Sequence, residues 1–165
     1  MDLETDDMTD EKKKEFTRRL TQCNSSEMIV IQYEIFFTYL EDALEAFEAG
    51  GEPFKQAIRR ADAVLERLQD SLNFKYELAG QLYPLYNYSR RQLALAQATH
   101  KKKPISNARN VMIKLYDAFA QIAAEDTSEP VMQHTQAVYA GYTYGRNSLN
   151  EELYDNSRQS RGFLV

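Results

Sequence analysis

The stretch 24–51, NSSEMIVIQYEIFFTYLEDALEAFEAGG, decides the fold. Asn24 is a helix-capping residue and Glu27 stands three positions on, as in a capping box, while Cys23 and Met28 can close a hydrophobic staple. Nothing interrupts the chain until Gly50-Gly51, so a long helix is predicted to run to about Ala49. Its apolar residues are too many for one face. Ile29, Tyr33, Phe36, Leu40, Leu44 and Phe47 form one stripe, and Met28, Ile31, Ile35 and Tyr39 form a second, rotated about the axis. Either one stripe meets a core and the other needs a separate cover, or the helix is central in a bundle and buries both. Glu34, Glu41, Glu45 and Glu48 read as its solvated edge.

Downstream, Pro53 suits a first helical position and opens a helix to about Asp70, with Phe54, Ile58, Ala61, Val64, Leu65, Leu68 and Leu72 on one narrow stripe. Ser71-Leu72-Asn73 interrupts the pattern. A third helix is expected from about Tyr76 to Thr99, with Leu78, Leu82, Leu85, Leu93 and Ala96 inward and a kink at Pro84, whose ring opposes the carbonyl of Gly80. After His100-Lys101-Lys102-Lys103-Pro104 comes a fourth, about Ile105 to Ala124, predicted to bury Met112, Leu115, Phe119 and Ile122. Asp126-Thr127-Ser128-Glu129-Pro130 starts a shorter fifth helix, and residues 143–165 read as a flexible tail rich in Tyr, Ser and Asn.

Upstream, residues 1–22 form an acidic flexible segment that admits a short, detachable helix from Asp10 to Thr21 with Phe16 and Leu20 on one face. The organisation is therefore 1–22, then a helical bundle over 23–142, then the tail. Short connections between the main helices point to an all-α, antiparallel up-and-down four-helix bundle.

Composition narrows the function. Twenty Lys and Arg against 25 Asp and Glu leave a net charge of −5, which argues against nucleic acid as a partner. No apolar stretch is long enough to insert into a membrane, the N-terminus is acidic where a signal peptide is basic, and Cys23 is alone, so a cytoplasmic protein without disulfides is expected. Two histidines, His100 and His134, no Glu-x-x-His pair, no phosphate-cradling glycine loop and no nucleophile motif leave no catalytic residue, metal site or cofactor to expect. Eleven tyrosines and no tryptophan suit half-wet contact surfaces instead.

The run Ser71-Leu72-Asn73-Phe74-Lys75-Tyr76, followed by Gln81-Leu82-Tyr83-Pro84-Leu85-Tyr86-Asn87-Tyr88-Ser89-Arg90-Arg91-Gln92-Leu93, resembles the signature region of the flagellar secretion chaperone FliS family. Asn24-Ser25 before Met28-Ile29-Val30-Ile31-Gln32-Tyr33-Glu34 is similar to that family's capped first helix, although Gln32 interrupts its apolar run and Ile35 stands where the family often has glycine. The resemblance implies an antiparallel helical bundle that binds the C-terminal segment of flagellin in the cytoplasm, blocks its premature polymerisation and delivers it to the flagellar export apparatus. It also implies that the client lies in apolar grooves on the outside of the bundle, and that the chaperone's own N-terminal segment can occupy part of that surface.

Residues and resemblance together give a client-binding set of Met28, Ile31, Ile35 and Tyr39 on the first long helix with Tyr76, Tyr83 and Tyr86 on the third. Tyr83 and Tyr86 are expected to share a face, with Tyr88 elsewhere. The same rings could instead only pack helix on helix. Two other readings stay open: a histidine-phosphotransfer bundle using His134, and a structural bundle that self-associates through its tyrosines, with the protein itself a monomer or a dimer. Apolar groups of the tail, among them Leu149, Leu153 and Phe163, are expected to dock on the empty client surface.

Overall fold

The cap at Asn24 is formed. Its side chain accepts from the Glu27 N–H at 2.9 Å and Glu27 returns a bond to the Asn24 N–H at 2.9 Å, in a computed structural model of the chain that describes residues 8–132. The described residues hold five helices and no strand: α1 (Asp10–Gln22), α2 (Ser25–Glu45), α3 (Gly51–Asp70), α4 (Glu77–Thr99) and α5 (Lys102–Glu125). α1 matches the short N-terminal helix expected from the sequence. The expected fifth bundle helix, the tail and His134 lie outside the described residues.

α2 packs against α3 and α5, and α4 packs against the same two, so α2 and α4 stand at opposite corners of a four-helix bundle. The stripe Tyr33, Phe36 and Leu40 of α2 meets Phe54, Ile58, Leu65 and Leu68 of α3, Leu93 and Ala96 of α4, and Ile105 and Met112 of α5. Antiparallel order is fixed at the ends. Asn24 Nδ2, at the start of α2, donates to the Asp126 carbonyl after α5 at 3.1 Å, and Ser26 Oγ donates to the Asp126 carboxylate. At the far end the His100 ring stacks on Phe47 at 4.2 Å, while Gly50 holds φ 62, where a Cβ would stand 3.4 Å from His100 Cε1. Along the α3–α4 seam, Arg90 grips Asp62 at 2.8 and 3.0 Å and reaches Gln69 at 3.0 Å.

Three residues expected inward are not. Leu78, Leu85 and Ile122 are exposed. The buried stripe of α4 is Ala79, Leu82, Tyr86, Ser89, Leu93 and Ala96. Leu78 and Leu85 each precede a member of it by one residue, and one residue turns a helix by about 100°. Ile122 lies beyond Phe119, the last buried residue of α5. Pro84 leaves α4 as one continuous helix from Glu77 to Thr99.

Candidate functional site

The outer face of α2, turned away from the core, carries Ile31, Glu34, Thr38 and Asp42, spaced so that they line one side of the helix. Ile31 is only 2% exposed although it stands outside the central core cluster. Its cover is α1. This helix runs back along α2, so that Arg19 near its C-terminal end donates to Glu34 and the Met8 N–H before its start bonds Asp42. No residue within α1 is itself buried. Phe16 and Leu20 are half-buried, and Arg19 lies 5.9 Å from the Phe16 ring centroid. The other oxygen of Glu34 accepts from Tyr116 of α5 at 3.2 Å, so α1, α2 and α5 meet on one carboxylate. Beside it a cleft of about 470 Å³ opens among the three helices, with Val30, Ile31, Ala120 and Ala123 as apolar lining and Arg18 and Arg19 as basic lining.

At the opposite corner, no further helix among the described residues covers α4. Leu78, Leu85, Tyr88 and Leu95 are exposed on the flank that also bears Gln92, which bonds Asn107 of α5 at 3.0 Å. Val111, Leu115 and Ile122 of α5 recur at the spacing that puts them on the flank bearing Asn107. From Leu78 to Leu95 this stripe runs about 26 Å at 1.5 Å per residue, with Gln81, Gln92 and Asn107 as its neutral polar neighbours and the charged Glu77 and Lys114 beside it. The other flank bears Tyr83, whose ring meets Phe74 edge-on at 5.8 Å, with Tyr76 two residues after Phe74 in sequence and 69% exposed.

The seven residues read from the sequence therefore do not form one groove, because α2 and α4 are diagonal. Tyr76 and Tyr83 are exposed. Tyr86 is not a surface residue: it is 2% exposed and its hydroxyl bonds that of Tyr33 at 2.6 Å in the core. Tyr83 and Tyr86 thus part company, since three residues leave them about 60° apart and the border of the buried stripe falls between them. Ile31 is buried under α1, whereas Met28, Ile35 and Tyr39 are half-buried, the last two packed against the core. Sequence reasoning set Tyr88 apart from Tyr83 and Tyr86 and did not single out the exposed Leu78, Leu85, Leu95 and Ile122 as contact candidates. An excess of apolar residues on α4 over what one stripe can bury was the available signal.

Among the described residues no group of three or more His, Cys, Asp or Glu is placed to hold a metal, and none of the helices is long and apolar enough to cross a membrane. Burial pushes the Cys23 thiol up, away from the reactive thiolate. Burial likewise pushes the hydroxyls of Tyr33 and Tyr86 up, so both stay neutral.

Residues 8–126 match the family described as flagellar protein FliS, well over half of the 165-residue chain. No individual curated protein matches.

Proposed function

The chain belongs to the FliS family, a family of flagellar export chaperones and not of enzymes, and on that premise we propose that it binds the C-terminal segment of flagellin in the cytoplasm. Bound there, the segment cannot polymerise, and the complex is handed to the export apparatus. The observation that carries this reading is the apolar, solvent-facing stripe of Leu78, Leu85, Tyr88 and Leu95 on α4. A helix of roughly 17 residues could lie along it with apolar anchors at three- and four-residue steps. Exposed apolar residues in such a row are a liability to a protein that has nothing to cover them with.

Tyr76 and Tyr83 extend the contact on the other flank of α4. Met28, Ile35 and Tyr39 belong to a second contact at the α2 corner, where Ile31 becomes available only when α1 moves aside. A client that touches both corners must wrap around the bundle. The test is native mass spectrometry of the full chain with flagellin and with flagellin lacking its C-terminal segment. A one-to-one complex with the first and none with the second is expected; equal binding of the two overturns the proposal. Sedimentation without client checks the rival reading, because self-association abolished by Tyr88→Asp would make the same stripe a contact between copies.

A further inference from the structure

We infer that the apolar stripe on α4 and α5 has a direction: it takes a client helix parallel to α4, with the client's N-terminus at Leu78 and its C-terminus at Lys101 and Lys103. This rests on the function proposed above and adds to it the polarity of the bound segment.

The hairpin that bears the stripe carries charge of one sign over most of its length. From Leu85 through the turn to Lys114 there is no Asp or Glu but seven Lys and Arg, in a chain whose net charge is −5. Two of these cations are already engaged, Arg90 by Asp62 and Glu66, and Lys102 by Glu48 and the face of Phe47. Lys101, Lys103 and Lys114 are exposed and make no ion pair among the described residues. The bond between Gln92 and Asn107 sets the antiparallel register of the two helices. Lys103, four residues before Asn107, therefore stands level with Ala96, and Lys114, seven residues after it, level with Leu85. At the other end Ile122 is level with Glu77, and Glu125 lies just beyond. Both glutamates are exposed, and Lys75 in the turn before α4 offsets only one of them. The stripe thus runs from a net negative end at Leu78 to a positive end past Leu95.

Because α4 and α5 are antiparallel, their own dipoles oppose each other at both ends, and the side chains set the field. A helix bears about half a positive charge at its N-terminus and about half a negative charge at its C-terminus. Laid parallel to α4 it meets opposite charge at each end; reversed, it meets like charge at each. The backbone of α4 favours the same direction independently. Pro84 has no N–H to offer the Gly80 carbonyl, and both residues are exposed. That carbonyl points toward the C-terminus of α4, as every carbonyl of a helix does. A parallel client spanning the stripe begins beside Gly80, and its first N–H groups, which lack partners within their own helix, point back at this acceptor. A reversed client brings its last carbonyls there instead, acceptor against acceptor.

A single nitroxide moved position by position along the C-terminal segment of flagellin, bound to the isotopically labelled full chain, tests the direction. Labels that broaden the amides of residues 78–82 should lie N-terminal in flagellin to those that broaden residues 95–103, by roughly 17 positions. The opposite order, or broadening of both regions from one position, overturns the inference. Broadening confined to α2 and α3 overturns it too, while a one-to-one complex in native mass spectrometry keeps the chaperone reading; absence of any complex overturns both. Lys101→Glu combined with Lys103→Glu inverts the positive end on exposed side chains. It should weaken binding about fivefold at low salt and less than about twofold in 1 M salt. Unchanged affinity at low salt removes the charge argument and overturns the inference.

Discussion

The hydroxyls of Tyr33 and Tyr86 lie 2.6 Å apart in the core and join α2 to α4, the two helices that stand at opposite corners of the bundle. Each ring contributes apolar area, but the oxygens are tolerated there only because they satisfy each other. Tyr86→Phe removes one partner and leaves Tyr33 with a buried, unpaired hydroxyl, which should cost about 1–3 kcal/mol. Tyr33→Phe with Tyr86→Phe should cost clearly less than the sum of the two single changes, since no polar atom is then stranded. Urea unfolding of the two single variants and the double variant reads this directly. Strict additivity would mean that the bond contributes nothing as a pair.

Neighbouring residues on α4 are expected to respond in opposite ways to the same substitution. Leu85→Asp or Tyr88→Asp places charge on an exposed face, so stability should stay within about 0.5 kcal/mol while affinity for the flagellin segment falls at least tenfold. Tyr86→Asp puts an unpaired charge in the core and should abolish the folded state. Ile35→Asp sits between these cases. Its side chain is half-buried and packed against the core cluster, so a lowered melting temperature should accompany any loss of binding. Calorimetry and circular dichroism on the four variants separate them. An unstable Leu85→Asp protein would move that residue back into the core.

The bundle was legible because its signals are local. The Asn24–Glu27 box, the break at Gly50-Gly51 and the single stripe of α3 each act within a few residues, and the folded chain keeps them all. That α2 needs a cover on its second face could also be read, since its apolar residues exceed one stripe. Which element provides the cover could not be read from the residue pattern, only from the family resemblance, because Ile31 is buried beside α1, a helix so polar that it buries none of its own residues. The assignment of Tyr86 failed for a related reason. A tyrosine suits a wet surface until a second hydroxyl is delivered to it, and Tyr33, 53 positions away, is brought close only by the tertiary fold. Leu78 and Leu85 escaped in the other direction, because leucine on a helix face looks like core until the neighbours' positions are known.

Gly80 offers a test of the α4 surface that needs no loss of structure. It lies within the helix, a Cβ there would meet nothing within 4 Å, and the carbonyl it contributes has no N–H to accept because Pro84 stands four residues on. Gly80→Ala should therefore stabilise the bundle by up to about 1 kcal/mol, chiefly by restricting the unfolded chain. If a client backbone approaches α4 closely at this point, the same change will weaken binding even as the melting temperature rises. Binding that is unaffected would place the client on the flanks only, along Leu85 and Tyr88 or along Tyr83.

The pH response of α1 follows from the sign of the shift at Asp42. Burial raises its carboxyl above the ordinary value of 3.8, the Met8 N–H and Lys12 pull the other way, and Glu41 and Glu45 on the same helix add to the rise. A raised value means that the covered state prefers the protonated form. In the neutral range the ionised group therefore opposes closure, and the opposition is relieved as pH falls through the raised value toward 3.8. Exchange at residues 13–17, corrected for its intrinsic pH dependence, should slow across that window in the parent protein, and association with flagellin should slow with it. Asp42→Asn should be closed at every pH and show neither change. Faster exchange in acid would mean that the contact of the Met8 N–H with the ionised carboxylate outweighs its desolvation, reversing the sign of the effect at Asp42.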